Sequence, residues 1–184
     1  SQSGAYKQAI SLASEVASKE PSKINANLIS LMFPKEYMST LIDQSYLYGI
    51  DHLLLMSVIK QESAFDEEAV SSSGAMGLMQ LMPYTADEIS TKLLISGNVP
   101  QENLKHPPIN ISLSTYYFYQ LLKSFNGNVT YSLASYNASA CIIFAPNPVS
   151  IASCGLVAEI NLAASSQLRC SFLLAFLGSI TLMM

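Results

Sequence analysis

Glu62 is the residue of this chain whose type and setting could do chemistry. Leu53, Leu54, Leu55, Met56, Val58 and Ile59 lead into Lys60-Gln61-Glu62, so a helix through this run gives the carboxyl apolar neighbours. Removing a carboxyl from water disfavours its charged form and raises its pKa. Held neutral near pH 7, it can protonate a leaving oxygen, which suits cleavage of a glycosidic bond. The alternative is an ordinary exposed glutamate at a helix end. Most glycosidases place two carboxylates about the scissile bond. Asp66, Glu67 and Glu68 stand too close in sequence to serve as that partner and read as a solvated charged face. Residues 71–77 then form a loop of serines and glycines, where backbone can approach a ligand closely. Met79 and Gln80 close the loop; the carboxamide of Gln80 suits sugar hydroxyls and amides, and a core role is the alternative for both.

Positioning these residues takes a mainly α-helical framework. Residues 5–18 have helical character, with Ile10, Ala13 and Ala17 on one face and Pro21 as the stop. Residues 36–48 read as a second helix, with Tyr37, Leu41 and Tyr48 at helical spacing and Gly49 ending it. Asp51 suits the N-cap of the next helix, which carries Glu62 near its far end. Pro83 opens a helix reaching Leu94, residues 97–108 form a connection, and residues 111–125 form a strong helix. Asn126-Gly127-Asn128 turns the chain into a short helix ending near Asn137. No alternating run of useful length suggests a strand.

The chain resembles the soluble lytic transglycosylase family, and the matching residues are specific. They are Glu62-Ser63-x-Phe65, then Gly74-Ala75-x-Gly77-Leu78-Met79-Gln80-x-Met82-Pro83-x-Thr85-Ala86, then Ser132-Leu133-Ala134-Ser135-Tyr136-Asn137-Ala138. Asn110-Ile111, opening the helix between the blocks, also fits. The resemblance implies a lysozyme-like helical domain that cleaves the β-1,4 bond between N-acetylmuramic acid and N-acetylglucosamine in peptidoglycan. It implies one glutamate, Glu62, acting first as acid and then as base. The substrate's N-acetyl group would replace the second carboxylate, and the muramic C6 hydroxyl would close a 1,6-anhydro ring. Ser71 matches a serine near the catalytic carboxyl and the N-acetyl group, although Ser72 and Ser73 are adjacent candidates. Met79 and Gln80 match residues lining the glycan cleft. Tyr136 matches a tyrosine reaching toward the glutamate; a core tyrosine is the alternative. The implied location is the bacterial envelope, on the periplasmic side. Rival readings are a goose-type-lysozyme-like hydrolase on the same fold, a catalytically inactive peptidoglycan-binding protein, and a membrane-tethered scaffold.

Composition narrows the remaining options. A chain of 184 residues, 50% hydrophobic and 12% charged, can bury a sizeable core and is not disordered throughout. A net charge of −4 without a basic run disfavours nucleic acid. No phosphate-binding or dinucleotide motif occurs, and His52, His106 and the three cysteines lack metal-ligand spacing, so no cofactor or metal is expected. The chain opens on Ser1, as expected of a processed or excised segment.

Composition breaks near Ala138. All ten tyrosines and all but one of the thirteen acidic residues precede it, whereas Cys141, Cys154, Cys170 and Arg169 follow. Where the family continues with a glycine-rich turn and a basic helix, this chain reads Ser139-Ala140-Cys141-Ile142. A replaced ending is the expectation, and a family-like ending in another frame of the gene is its test. Residues 168–184 are almost wholly apolar but fall short of the about 20 residues a spanning helix needs, so a segment that packs on the domain or stays poorly ordered is expected over membrane contact. The expected organisation is an N-terminal lead-in over 1–35, a catalytic domain over 36–138 and an atypical tail over 139–184.

Overall fold

The structure, a computed structural model, describes residues 2–93 and 99–137. By its packing the chain divides into two units, residues 1–117 and 118–184. The expected tail over 139–184, with its apolar run and the break after Ala138, lies outside the described residues.

In the first unit, α1 (Gln2–Lys19) buries Ile10 and Ala13 and packs against α2 (Ala26–Met32). Helix α2 escapes a reading by periodicity because seven residues show too few turns. Its start is nonetheless marked, since the Asn25 side chain accepts the Leu28 N–H at 3.0 Å. Helix α3 (Met38–Tyr48) ends where predicted, with Gly49 left-handed at φ 67° and its N–H donated to Ser45 O at 2.8 Å. Helix α4 (His52–Ser63) packs on α3 and buries Leu55, Met56, Val58 and Ile59. Helix α5 (Pro83–Lys92) opens on proline, which needs no N–H at a helix start.

The last helix of this unit begins earlier than the sequence suggests. Helix α6 spans Pro107–Ser124, because Pro107 and Pro108 occupy its first turn, where amides have no helical partner anyway. The preceding connection contains a short 3-10 helix, Gln101–Lys105, that buries Leu104. Among the described residues there are no strands, only the isolated antiparallel bridges Val70–Met76 and Met76–Leu81. The architecture is mainly α.

Asp51 Oδ1 accepts the Leu53 N–H at 2.8 Å and so caps the helix that carries Glu62. Asp51→Ala is expected to lower stability by about 1 kcal/mol, read by urea unfolding. A change indistinguishable from zero would mean that the cap contributes nothing.

In the second unit, the described residues are the end of α6 and helix α7 (Val129–Asn137). Asn126 and Gly127, both left-handed, make the turn between them. The Asn128 side chain then accepts the Tyr131 N–H at 3.0 Å. Phe118 and Leu121 are buried, and Tyr136 meets Phe118 edge-on at 5.9 Å. No described helix is long and apolar enough to cross a membrane.

Candidate active site

Glu62 is the penultimate residue of α4 and is half-buried. Val58 and Ile59, one turn earlier on the same flank, are both buried, so the carboxyl shares an apolar surface. Burial raises its pKa from 4.5 to about 7. The nearest cation in sequence does not counter this. Lys60, two positions earlier on the helix, lies over the Phe33 ring at 4.3 Å, and burial lowers its own pKa to about 8. No hydrogen bond or ion pair to the Glu62 carboxyl occurs among the described residues.

Directly after Glu62 the backbone departs from ordinary geometry. Ala64 (φ 52°) and Phe65 (φ 63°) are consecutive non-glycine residues in the left-handed region, each costing roughly 1–2 kcal/mol. Hydrogen bonds from Ala64 N–H to Lys60 O and from Asp66 N–H to Ser63 O hold the turn. Phe65 is 5% exposed, and its ring stacks on Tyr37 at 6.5 Å. This burial offsets the strain and stops α4 one residue beyond Glu62.

The three acids that follow are more than a solvated face. Asp66 pairs with Lys7 at 3.8 Å, Glu67 accepts from the Tyr37 hydroxyl at 3.4 Å, and Glu68 pairs with Lys105 at 2.7 Å. They clip the loop to three separate segments, and that work is structural.

The loop itself is a compact double turn. Ser71 Oγ accepts the Ala75 N–H at 2.9 Å, and the Ser71 N–H donates to Ala75 O, also at 2.9 Å. Met76 and Leu81 exchange a pair of backbone bonds at 3.0 Å, enclosing Gly77-Leu78-Met79-Gln80. Gln80 is left-handed at φ 50°, and its Nε2 donates to Ala69 O at 3.1 Å and Gly77 O at 2.9 Å. Among the described residues no group of three His, Cys, Asp or Glu is placed to hold a metal ion.

The family model for the transglycosylase SLT domain matches residues 39–143. The chain belongs to this family. It is 34% identical over 97 residues to membrane-bound lytic murein transglycosylase C of Mannheimia succiniciproducens, covering 52% of this chain and 27% of that protein. It is 37% identical over 83 residues to the soluble lytic murein transglycosylase of Escherichia coli strain K12, covering 45% of this chain and 13% of that one. Among solved structures, an inactive mutant of the lytic transglycosylase Slt of Pseudomonas aeruginosa superposes with a TM-score of 0.59 at 32% identity, over 68% of this chain and 20% of that one. The 70 kDa soluble lytic transglycosylase of Escherichia coli gives 0.57 at 32% identity, over 60% and 18%. The fold is therefore the lysozyme-like helical fold of these enzymes. The chain spans about a quarter or less of the length of the curated relatives named here.

Within this SLT domain, Ser71, Met79 and Gln80 come together in one loop, immediately downstream of the helix that ends beside Glu62. Their side chains are differently disposed. Ser71 uses its oxygen as an acceptor inside the loop, leaving the hydroxyl proton to donate. Both amide hydrogens of Gln80 are engaged internally, so Oε1 is the atom left for a ligand. Met79 is 0% exposed and presents no side-chain surface in this conformation. Tyr136 is a buried residue of the second unit, against Phe118.

One SLT-domain residue, which in the sequence marks only the opening of a helix, stands at the centre of the loop. Asn110 is 0% exposed, donates from Nδ2 to Met76 O at 2.9 Å and Leu104 O at 2.8 Å, and accepts the Met79 N–H at Oδ1 at 2.8 Å. A polar residue at a position otherwise suited to the core face of α6 was the signal for it.

Proposed function

We propose that this chain is the catalytic domain of a peptidoglycan lytic transglycosylase, with residues 36–138 as that domain and Glu62 as its acid and base. The observation that carries the reading is a half-buried carboxyl with a pKa of about 7, ending a helix of an SLT fold. At pH 7 a glutamate at 4.5 is protonated in about 0.3% of molecules, whereas one at about 7 is protonated in about half. A group poised there serves as acid in one step and as base in the next. The solved relative from Pseudomonas aeruginosa is an inactive glutamate-to-glutamine mutant, which supports a glutamate in this role.

In the proposed reaction, the Glu62 carboxyl gives its proton to the glycosidic oxygen as the bond from muramic C1 breaks. The neighbouring N-acetyl oxygen closes on C1 and carries the positive charge that a second carboxylate would otherwise face. Glu62, now a carboxylate, takes the proton from the C6 hydroxyl. O6 displaces the N-acetyl oxygen at C1, giving 1,6-anhydromuramic acid and returning Glu62 to its starting protonation. Ser71 donates toward the N-acetyl group, Gln80 Oε1 accepts from the sugar, and the Met79 backbone shapes the cleft. The bacterial periplasm is the compartment where this substrate lies.

Mass spectrometry of soluble products from purified peptidoglycan tests the reading. Anhydromuropeptides support it. Reducing-end products would make the chain a hydrolase on the same fold, and binding to sacculi without products would make it an inactive peptidoglycan-binding protein.

The pH profile follows from the same carboxyl. The first step needs protonated Glu62, so kcat/KM is expected to fall about tenfold per pH unit once pH passes about 7. A decline centred near pH 4.5 would mean that the reacting glutamate is an ordinary exposed one.

A further inference from the structure

We propose that Asn110 is the positioning residue of this site, the group that sets the register of the Gly77–Gln80 turn. Its consequence for turnover rests on the proposed function; its hold on the turn does not. The carboxamide spends two donors and one acceptor on three backbone groups, Met76 O, Leu104 O and Met79 N–H, all at 2.8–2.9 Å. Neutral carboxamides are the side chains that supply two N–H donors and an adjacent acceptor in one plane. Aspartate would aim carboxylate oxygen at two carbonyls, leucine would leave three buried groups unbonded, and glutamine is one methylene too long.

The turn leans directly on this group. A Cβ built on Gly77 falls 2.5 Å from Asn110 Nδ2 and 2.9 Å from Cγ, so the backbone there lies flat against the carboxamide. Asn110 thus grips the turn on both sides of Leu78, at Met76 and at Met79. Gln80 follows at once, left-handed, with its side chain pinned so that Oε1 alone remains for a ligand. Loosening Met79 therefore moves the atom that would meet the sugar and leaves the Glu62 helix in place.

Two readouts test this with Asn110→Leu, which removes both donors and the acceptor that the Met79 N–H uses. Amide hydrogen exchange at Met79 is expected to accelerate at least 100-fold, with the Ile59 amide in α4 unchanged. On soluble uncross-linked peptidoglycan strands, KM is expected to rise about tenfold with kcat within threefold. Equal exchange at Met79 in both proteins overturns the proposal, as does a fall in kcat at unchanged KM, which signals a merely smaller folded fraction. Should Asn110→Leu not fold, Asn110→Ser gives the same readouts. The original chain also decides alone: Met79 exchange as fast as that of exposed Ser72 would overturn the proposal. If the original chain releases no product, the proposed function fails while the exchange experiment still stands.

Discussion

Glu62→Gln is expected to reduce release of soluble muropeptides at least about 100-fold and toward 10⁴-fold, the range that a positioned general acid contributes. Glutamine keeps the shape of the side chain but cannot supply a proton to the glycosidic oxygen or take one from the C6 hydroxyl. The same substitution is expected to raise stability above pH 7. Burial lifts the Glu62 pKa from 4.5 to about 7, so the folded state disfavours the anion. Between these values the folded chain holds a proton that the unfolded chain has released. Stability of the original protein therefore falls as pH rises through this window, and the loss is complete above it. Glutamine has no charge to bury. The variant's Tm should exceed that of the original at pH 8 and match it at pH 4. Lost activity with a higher Tm cannot be misfolding. Activity within tenfold of the original, or a lower Tm at pH 8, would remove Glu62 from its assigned role.

Gly77→Ala is the substitution with the largest expected effect on stability, about 2–5 kcal/mol, from left-handed backbone strain and overpacking together. Gly77 has φ +77°, and a Cβ there would fall 2.2 Å from the Leu104 carbonyl oxygen as well as against Asn110. The carbonyl is backbone and cannot rotate aside. Gly74 is the internal comparison. It is also left-handed, at φ +89°, yet a Cβ there meets nothing within 4 Å. Gly74→Ala should therefore show the conformational strain alone, and the difference between the two variants isolates the collision. Urea unfolding measures both. Equal losses would mean that the turn shifts to accommodate the methyl, and that the contact with Asn110 is not rigid.

A good part of this site is legible in the sequence. Gly49 and Asp51 announce the end of one helix and the start of the next through rules that reach only a few residues. The apolar run before Glu62 foretold a desolvated carboxyl because neighbours three and four positions back share a helix flank. Other features were not legible. Ala64 and Phe65 are left-handed without being glycine, and only the packing of Phe65 against Tyr37 makes that tolerable. Asp66, Glu67 and Glu68 read as a solvated face, since nothing local shows that Lys7, Tyr37 and Lys105 arrive to meet them.

The sequence by itself determined the helical class, the catalytic candidate and the loop that follows it, because caps, turns and apolar periodicity act over a few residues. Only the tertiary structure decided that Met79 faces inward, that Gln80 turns both amide hydrogens on its own loop, and that Asn110 joins the loop's own residues in bonding the turn. The reason is physical. A buried carboxamide takes its meaning from the carbonyls and amides that surround it, and those come from residues up to thirty-four positions away.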